Sequence, residues 1–354
     1  MVKQVLMTGN EAMAEGAIQA GCRFYAGYPI TPQNELPAYM ARRMPGAGGV
    51  FIQAESELGA INMVFGASAA GSRALTSSSS PGISLKQEGI SYLAGAQLPA
   101  VIINVMRGGP GLGNIWPAQS DYFQATRSGG HGDYHCIVLA PGSVQEAFDL
   151  MGLSFDLADR YRTPVIILGD GMLGQMMEPI IIKSRARDQK SKINKPWALT
   201  GCKGRAANVV KSFYLKEGDL EKFNILLQKK YQTIAQKEQR YEELFLDDAE
   251  VLLVAYGTTA RIAKGALSEL REKGIRVGLI RPITLWPFPG EIFRRLTASP
   301  KQRVILVAEM SYGQMIEDVR LSLDCKLPVE FIGRAGGGVL TKEAIIKKIR
   351  RLGY

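Results

Sequence analysis

Apolar residues along the chain fall into two kinds of run, and their alternation predicts the architecture. Short, nearly continuous apolar stretches read as buried strands, and longer stretches with an apolar residue every third or fourth position read as helices. In the first half QVLMT leads into a helix over 11–20, FYAGYP reads as a second strand stopping at a proline-bounded loop, and GVFIQA as a third. A helix from about Ser56 to Ser68, crowded with glycine and alanine, follows. AVIINVM and CIVLAP are further strands, and TPVIILGD closes the series. This alternation predicts a doubly wound α/β domain on a parallel sheet over residues 1–182.

The pattern changes over 183–248. The stretch becomes lysine-rich, and Phe223, Leu227, Ile234 and Tyr241 recur at helical spacing, which predicts a basic linker with an amphipathic helix. A second α/β unit is expected over 249–354, with EVLLVAYG, IRVGLIRP, RVILVAEM and PVEFIG as strands. Its helices are expected in TTARIAKGALSELREKG, stopped at Gly274, near Ile292 to Leu296, and from Thr341 to Leu352. No segment repeats at a fixed period, which sets aside solenoids and propellers.

Composition changes the picture in three places. MVKQVLMTGN lacks the basic-then-apolar pattern of a secretory leader, and no apolar run reaches the roughly 18 residues of a membrane span, so a cytoplasmic location without a membrane partner is expected. The four cysteines, Cys22, Cys136, Cys202 and Cys325, form no CxxC pair, so no zinc site or iron–sulfur cluster is expected on this chain. The net charge of +10 is local: residues 183–243 hold 15 Lys/Arg against seven Asp/Glu. Such a segment is a solvated face or docks an acidic partner, and without a reader motif beside it nucleic acid is not expected.

Candidate chemistry sits at expected strand ends. In Tyr28-Pro29-Ile30-Thr31-Pro32, two prolines hold Thr31 in a stiff turn, either as a rigid connection or where open α/β sheets bind ligands. Glu57, in ESELGA, opens the small-residue helix. A first-turn carboxylate is ordinary dipole compensation, but a close-packed helix would desolvate it, and burial raises a carboxyl's pKa toward that of a proton relay. Thr76 to Ser80, before Pro81-Gly82, reads as a hydroxyl-rich loop that is either plain or ligand-facing. Arg107, ahead of a glycine-rich loop, is a surface cation or a bidentate carboxylate holder. His131 and His135 lack the companions of a metal site, so no metal is expected here.

The order YPITP, ESELGA, the serine loop with PGISL, RGGPGLG and GGHGD resembles the alpha subunit of 2-oxoacid:ferredoxin oxidoreductases over nearly the whole chain. RPITLWPFP followed by VAEMSYGQM is similar to the family's transketolase C-terminal-like domain. The resemblance implies a pyrimidine-type thiamine-diphosphate domain, with Glu57 on a ring nitrogen and Tyr28, Pro29, Ile30, Ser79 and Ser80 around the cofactor. It implies Thr31 and Arg107 on the 2-oxoacid, CoA as co-substrate and ferredoxin as acceptor. It further implies partners: a beta subunit holding magnesium and the diphosphate, a gamma subunit, and a ferredoxin-like subunit with iron–sulfur clusters. The small-residue helix after Glu57 is where the beta subunit is expected to pack.

Gly169-Asp170-Gly171 starts like the family's diphosphate motif, but Asn194 follows too early and in a lysine-rich context, so it is set aside. Two departures bear on substrate. Ser80 stands where TSGPG has a glycine, and GPGLG places Gly111 and Leu112 where GPSTG has hydroxyls. A less polar loop favours an apolar side chain, so branched-chain 2-oxoacids, 2-oxoisovalerate first, are expected ahead of 2-oxoglutarate or pyruvate. A non-catalytic structural subunit is the rival reading.

Overall fold

The computed structural model describes residues 2–183, 194–298 and 304–354; residues 184–193 of the expected basic linker lie outside the described residues. Its largest sheet has seven strands in the order Thr284–Trp286, Ile137–Leu139, Pro164–Asp170, Ala100–Met106, Ala74–Ser78, Phe24–Gly27, Val50–Gln53. Every neighbouring pair is parallel except the first, where Thr284–Trp286 runs antiparallel to Ile137–Leu139. The central strands Ala100–Met106 and Pro164–Asp170 are buried along their whole length, which is why they read as unbroken apolar runs. Helix Gly9–Gln19 packs on Val144–Tyr161, and a Cβ on Gly16 would run into the Phe148 carbonyl, so the close approach requires glycine there.

Three expectations are corrected. QVLMT belongs to the strand Val2–Thr8, which leaves the main sheet and pairs antiparallel with Met177–Lys183 in a two-stranded sheet. Its burial alternates, with Leu6 62% exposed and Met7 4%, and a strand with one wet face does not belong inside a parallel sheet. Thr76 to Ser80 is not a loop: Thr76, Ser77 and Ser78 end the buried strand Ala74–Ser78, and Ser80 opens the helix Ser80–Gly95. Hydroxyls inside a buried strand escape a hydropathy reading, which assigns them to the surface; Thr76 and Ser77 are buried with hydrogen-bond partners. The amphipathic helix is Asp219–Lys237, burying Leu227 and Ile234, but Tyr241 lies beyond it in the edge strand Tyr241–Leu244.

The second sheet has five strands, ordered Val329–Gly333, Val304–Glu309, Val251–Val254, Val277–Pro282, Tyr241–Leu244, and only the last pair is antiparallel. Helices Gly257–Glu272 and Lys342–Arg351 pack together over a separate core, and Gly274 follows the first of them at φ 78°, the left-handed conformation that ends it. An unanticipated helix, Met315–Ser322, starts where the buried Glu309 carboxylate accepts the amides of Gln314, Met315 and Ile316. The two units are joined by more than the chain. Arg281, 7% exposed, donates twice to Glu146 at 2.8 and 3.0 Å and once to Glu242 at 2.7 Å.

Candidate active site

Four adjacent parallel strands deliver the candidate residues to one edge of the sheet. Phe24–Gly27 ends at Tyr28 to Thr31, Val50–Gln53 leads to Glu57, Ala74–Ser78 ends at Ser79 and Ser80, and Ala100–Met106 ends at Arg107. This is the carboxyl edge, where open α/β sheets bind ligands.

Arg107 is 6% exposed and held at both terminal nitrogens. One donates to the Thr31 carbonyl and the other to the Leu112 carbonyl, each at 3.0 Å, and the buried Nε has no protein partner. A guanidinium carries five N–H groups, so the two carbonyls fix it without exhausting it. The Thr31 hydroxyl accepts from Asn34 at 3.2 Å and keeps its own proton to give. Leu112 is 81% exposed, a large apolar side chain standing free on the loop after Arg107.

Glu57 is the first residue of helix Glu57–Ala69, whose N-cap Ser56 accepts the Gly59 amide. Its carboxylate lies against Gly82, where a Cβ would collide with both Glu57 Oε1 and Ser78 Oγ. Ser78 and Ser79 each hold a buried hydroxyl without a protein partner. Ser80 is already committed: it accepts from the Arg107 amide at 3.0 Å and donates to Asp121 at 2.6 Å. Asn104 also donates to Asp121, at 2.9 Å, and burial pushes that carboxyl up. Of the two serines expected at the cofactor, Ser79 therefore has the free hydroxyl, and Ser78, from the same hydroxyl run, adds a second.

Beneath these residues runs a buried polar chain. Tyr25 donates to Ser77 at 2.7 Å, Ser77 to Gln33 at 2.5 Å, and Gln33 to the Tyr28 carbonyl at 3.4 Å. Lys86, fully buried, donates to Thr76 Oγ1 at 2.8 Å and the Ser77 carbonyl at 2.9 Å. Asn10 and Gln175 both grip the Pro32 carbonyl at 2.9 Å. The turn at Tyr28 to Thr31 is thus fixed from below, while Tyr28 is exposed above. Sequence reasoning missed Gln33, Lys86 and Asp121, and it named Ser78 only as part of the hydroxyl run Thr76 to Ser80. One signal was available: Lys86 falls between Ile83 and Ile90 at helical spacing, on the face that should be apolar.

Two further motifs make structural contacts, the first of them at the same carboxyl edge, where Asp170 ends the strand beside that of Arg107. Asp170 caps the helix Gly171–Gln175 by accepting the amides of Met172 and Leu173, each at 3.0 Å. His135 stacks on Trp286 at 4.4 Å between ring centroids and meets Tyr231 edge-on, a packing role, while His131 is exposed. Among the described residues no three His, Cys, Asp or Glu side chains gather as for a metal ion, and no helix is long and apolar enough to cross a membrane.

A carboxylate at a helix start, a glycine cradle beside it and unpaired hydroxyls on a parallel sheet's carboxyl edge fit the edge of an aminopyrimidine ring. With a second α/β unit behind, they define the thiamine-diphosphate class of fold. A split-gene transketolase shares that fold, at a TM-score of 0.60 and 14% identity over 98% of this chain and 97% of that one. Residues 15–243 match the family model described as pyruvate flavodoxin/ferredoxin oxidoreductase, thiamine diphosphate binding, and 249–345 match pyruvate:ferredoxin oxidoreductase core domain II.

The chain belongs to the 2-oxoacid:ferredoxin oxidoreductase family. It is 51% identical over 347 residues to the ketoisovalerate oxidoreductase subunit VorB of Methanothermobacter marburgensis, covering 98% of this chain and 97% of that protein. It is 40% identical to the 2-oxoglutarate synthase subunit KorA of Archaeoglobus fulgidus, covering 91% and 92%. It also resembles the structure of a 2-oxoglutarate:ferredoxin oxidoreductase from Magnetococcus marinus with 2-oxoglutarate, coenzyme A and succinyl-CoA bound. There the TM-score is 0.88 and the identity 26%, over 98% of this chain and 65% of that longer one.

Proposed function

We propose that this chain is the subunit of a branched-chain 2-oxoacid:ferredoxin oxidoreductase that activates the thiamine ring and holds the substrate carboxylate. The reaction is 2-oxoisovalerate plus CoA to the acyl-CoA, CO2 and a proton, with the two electrons released passing to oxidised ferredoxin. The observation that carries this reading is Arg107 locked between the carbonyls of Thr31 and Leu112. It puts a carboxylate holder, a hydroxyl donor and an exposed apolar side chain in one loop cluster. The 51% identity to ketoisovalerate oxidoreductase subunits supports the choice of acid.

Bound thiamine diphosphate supplies the carbanion chemistry. This chain's own residues bind and orient: Glu57 accepts the ring N–H, and Ser79, with the Tyr28-Pro29-Ile30 turn, borders the pyrimidine. Arg107 takes the substrate carboxylate by two parallel hydrogen bonds, and the Thr31 hydroxyl donates to the keto oxygen. A beta subunit brings magnesium and the diphosphate site, and it docks on the exposed positions Leu58, Asn62 and Gly66 of helix Glu57–Ala69 and on its cap Ala70, where Gly66 faces open space. A gamma subunit and a ferredoxin-like subunit with iron–sulfur clusters complete the path to ferredoxin. The domains are taken as 1–182, 183–248 and 249–354, the last supported by the family match beginning at 249.

The test is the specificity constant of the assembled complex on a panel of 2-oxoacids. 2-Oxoisovalerate should rank above 2-oxoglutarate and pyruvate, and a higher value for 2-oxoglutarate overturns the assignment. Glu57→Gln should slow turnover by about 10²-fold or more; near-normal turnover would instead make this a structural subunit.

A further inference from the structure

Asp121 stands at the N-cap of the short helix Tyr122–Thr126, where an aspartate usually accepts the amide of the second or third helical residue. It makes no such bond. The Phe123 amide is taken instead by Gln314 Oε1 of the second unit, at 2.8 Å, and the other end of that side chain donates to the Ser120 carbonyl at 2.7 Å. Gln314 is itself anchored, its amide donating to the buried Glu309 at 3.1 Å. With its local role filled from the second unit, the Asp121 carboxylate is turned the other way. Its Oδ2 accepts from the Ser80 hydroxyl at 2.6 Å and from the Asn104 side chain at 2.9 Å, residues 41 and 17 positions back along the chain.

These bonds close a ring, because the Ser80 amide also donates to Asn104 Oδ1, at 3.1 Å. The ring decides where the Ser80 proton lies. A hydroxyl has one proton to give, and the carboxylate at 2.6 Å is a better acceptor for it than the Arg107 carbonyl at 3.3 Å. The Ser80 oxygen is thereby left with its lone pairs for the Arg107 amide, which donates to it at 3.0 Å. Arg107 is the residue directly after the strand Ala100–Met106, so this bond fixes the backbone at the point where the guanidinium side chain departs.

We propose that Asp121 is a positioning residue for Arg107: by holding the proton of the Ser80 hydroxyl it turns that oxygen to the Arg107 amide and sets the backbone from which the guanidinium reaches the substrate carboxylate. The proposal rests on the reading of Arg107 given above. The device depends on the serine that this chain carries at 80, since a glycine there has no hydroxyl to bridge Asp121 and Arg107. It also runs to the second unit, because Gln314 occupies the helix start that would otherwise draw the carboxylate back.

The experiment is steady-state kinetics of the assembled complex on 2-oxoisovalerate, for the parent, Asp121→Ala, Asp121→Asn, Arg107→Met and the double variant of Asp121→Ala with Arg107→Met. Asp121→Ala should raise KM for the 2-oxoacid about tenfold with kcat held within about twofold, the pattern of a lost ground-state contact. KM for CoA should not move. Asp121→Asn, whose amide oxygen fits where Oδ2 stands and accepts from the same two donors, should bring KM back to within about threefold of the parent. In the Arg107→Met background Asp121→Ala should add less than about twofold, because the two substitutions remove one function. An unchanged KM for the 2-oxoacid, an equal rise in KM for CoA, no recovery in Asp121→Asn, or a full further loss in the Arg107→Met background overturns the proposal. If Arg107→Met itself leaves KM unchanged, the reading of Arg107 fails and the proposal falls with it. Should Asp121→Ala not assemble, Ser80→Ala, which removes the bridging hydroxyl and leaves the carboxylate, is judged by the same criteria, with Ser80→Thr as the variant that restores KM.

Discussion

The carbonyl of Thr31 and the Nη1 of Arg107, 76 positions apart in the chain, are joined by a 3.0 Å hydrogen bond. The bond ties the turn after one strand to the end of another two places away in the sheet, so the two groups expected on the substrate move as one. Arg107→Lys keeps the charge but cannot span the carbonyls of Thr31 and Leu112 and a carboxylate together. The specificity constant for the 2-oxoacid should fall by about 10- to 100-fold, the worth of one or two charged hydrogen bonds, with thiamine diphosphate still bound. Steady-state kinetics beside cofactor content check this, and loss of cofactor as well would contradict it.

Leu112 is exposed, so Leu112→Ser should leave stability within about 0.5 kcal/mol. Its effect belongs in specificity. The preference for 2-oxoisovalerate over 2-oxoglutarate should drop by about tenfold, the scale on which pocket contacts of this size discriminate. An unchanged ratio of specificity constants would move the discrimination to another subunit.

Gly82→Ala places a methyl against Ser78 Oγ and Glu57 Oε1. Overpacking a buried site of this kind costs about 1–3 kcal/mol. The melting temperature of the complex should drop, and retention of thiamine diphosphate through gel filtration should drop with it. Full retention would show that the cradle is not where the ring edge rests.

Lys86 also predicts how stability depends on pH. Its value in the folded chain, about 7, lies below that of an unfolded lysine, so the unfolded chain holds more protons between about pH 7 and pH 10. Stability therefore gains as pH rises through that window. Lys86→Met removes the gain, so relative to the parent it should be more stable at pH 6 than at pH 9. Thermal unfolding of both complexes at several pH values tests this, and a constant difference would mean the ammonium is not shifted.

Much of the site was legible because its residues sit where short apolar runs stop. The ends of FYAG, AVIINVM and the strand before ESELGA could be placed from hydrophobic pattern alone, while roles for Thr31, Glu57 and Arg107 were implied only by the resemblance to the family. Thr76, Ser77, Gln33 and Lys86 were not legible, since pattern reading assigns polar residues to the surface and these are buried through bonds to one another. QVLMT was placed in the wrong sheet, because a run of five gives strand propensity but not partner. The Tyr241 error has a similar cause, since a helical period can continue by chance across the break after Lys237.

The strand Thr284–Trp286 belongs by chain position to the second unit and by hydrogen bonding to the first unit's sheet. A chimera that exchanged residues 249–354 for those of a relative would also replace the border of the foreign sheet it was meant to leave intact. A gene split before that point would leave Ile137–Leu139 as a bare margin, open to pairing with any stray extended chain. The two halves of this polypeptide can therefore be recombined only together, and variation in one is constrained by the seam it shares with the other.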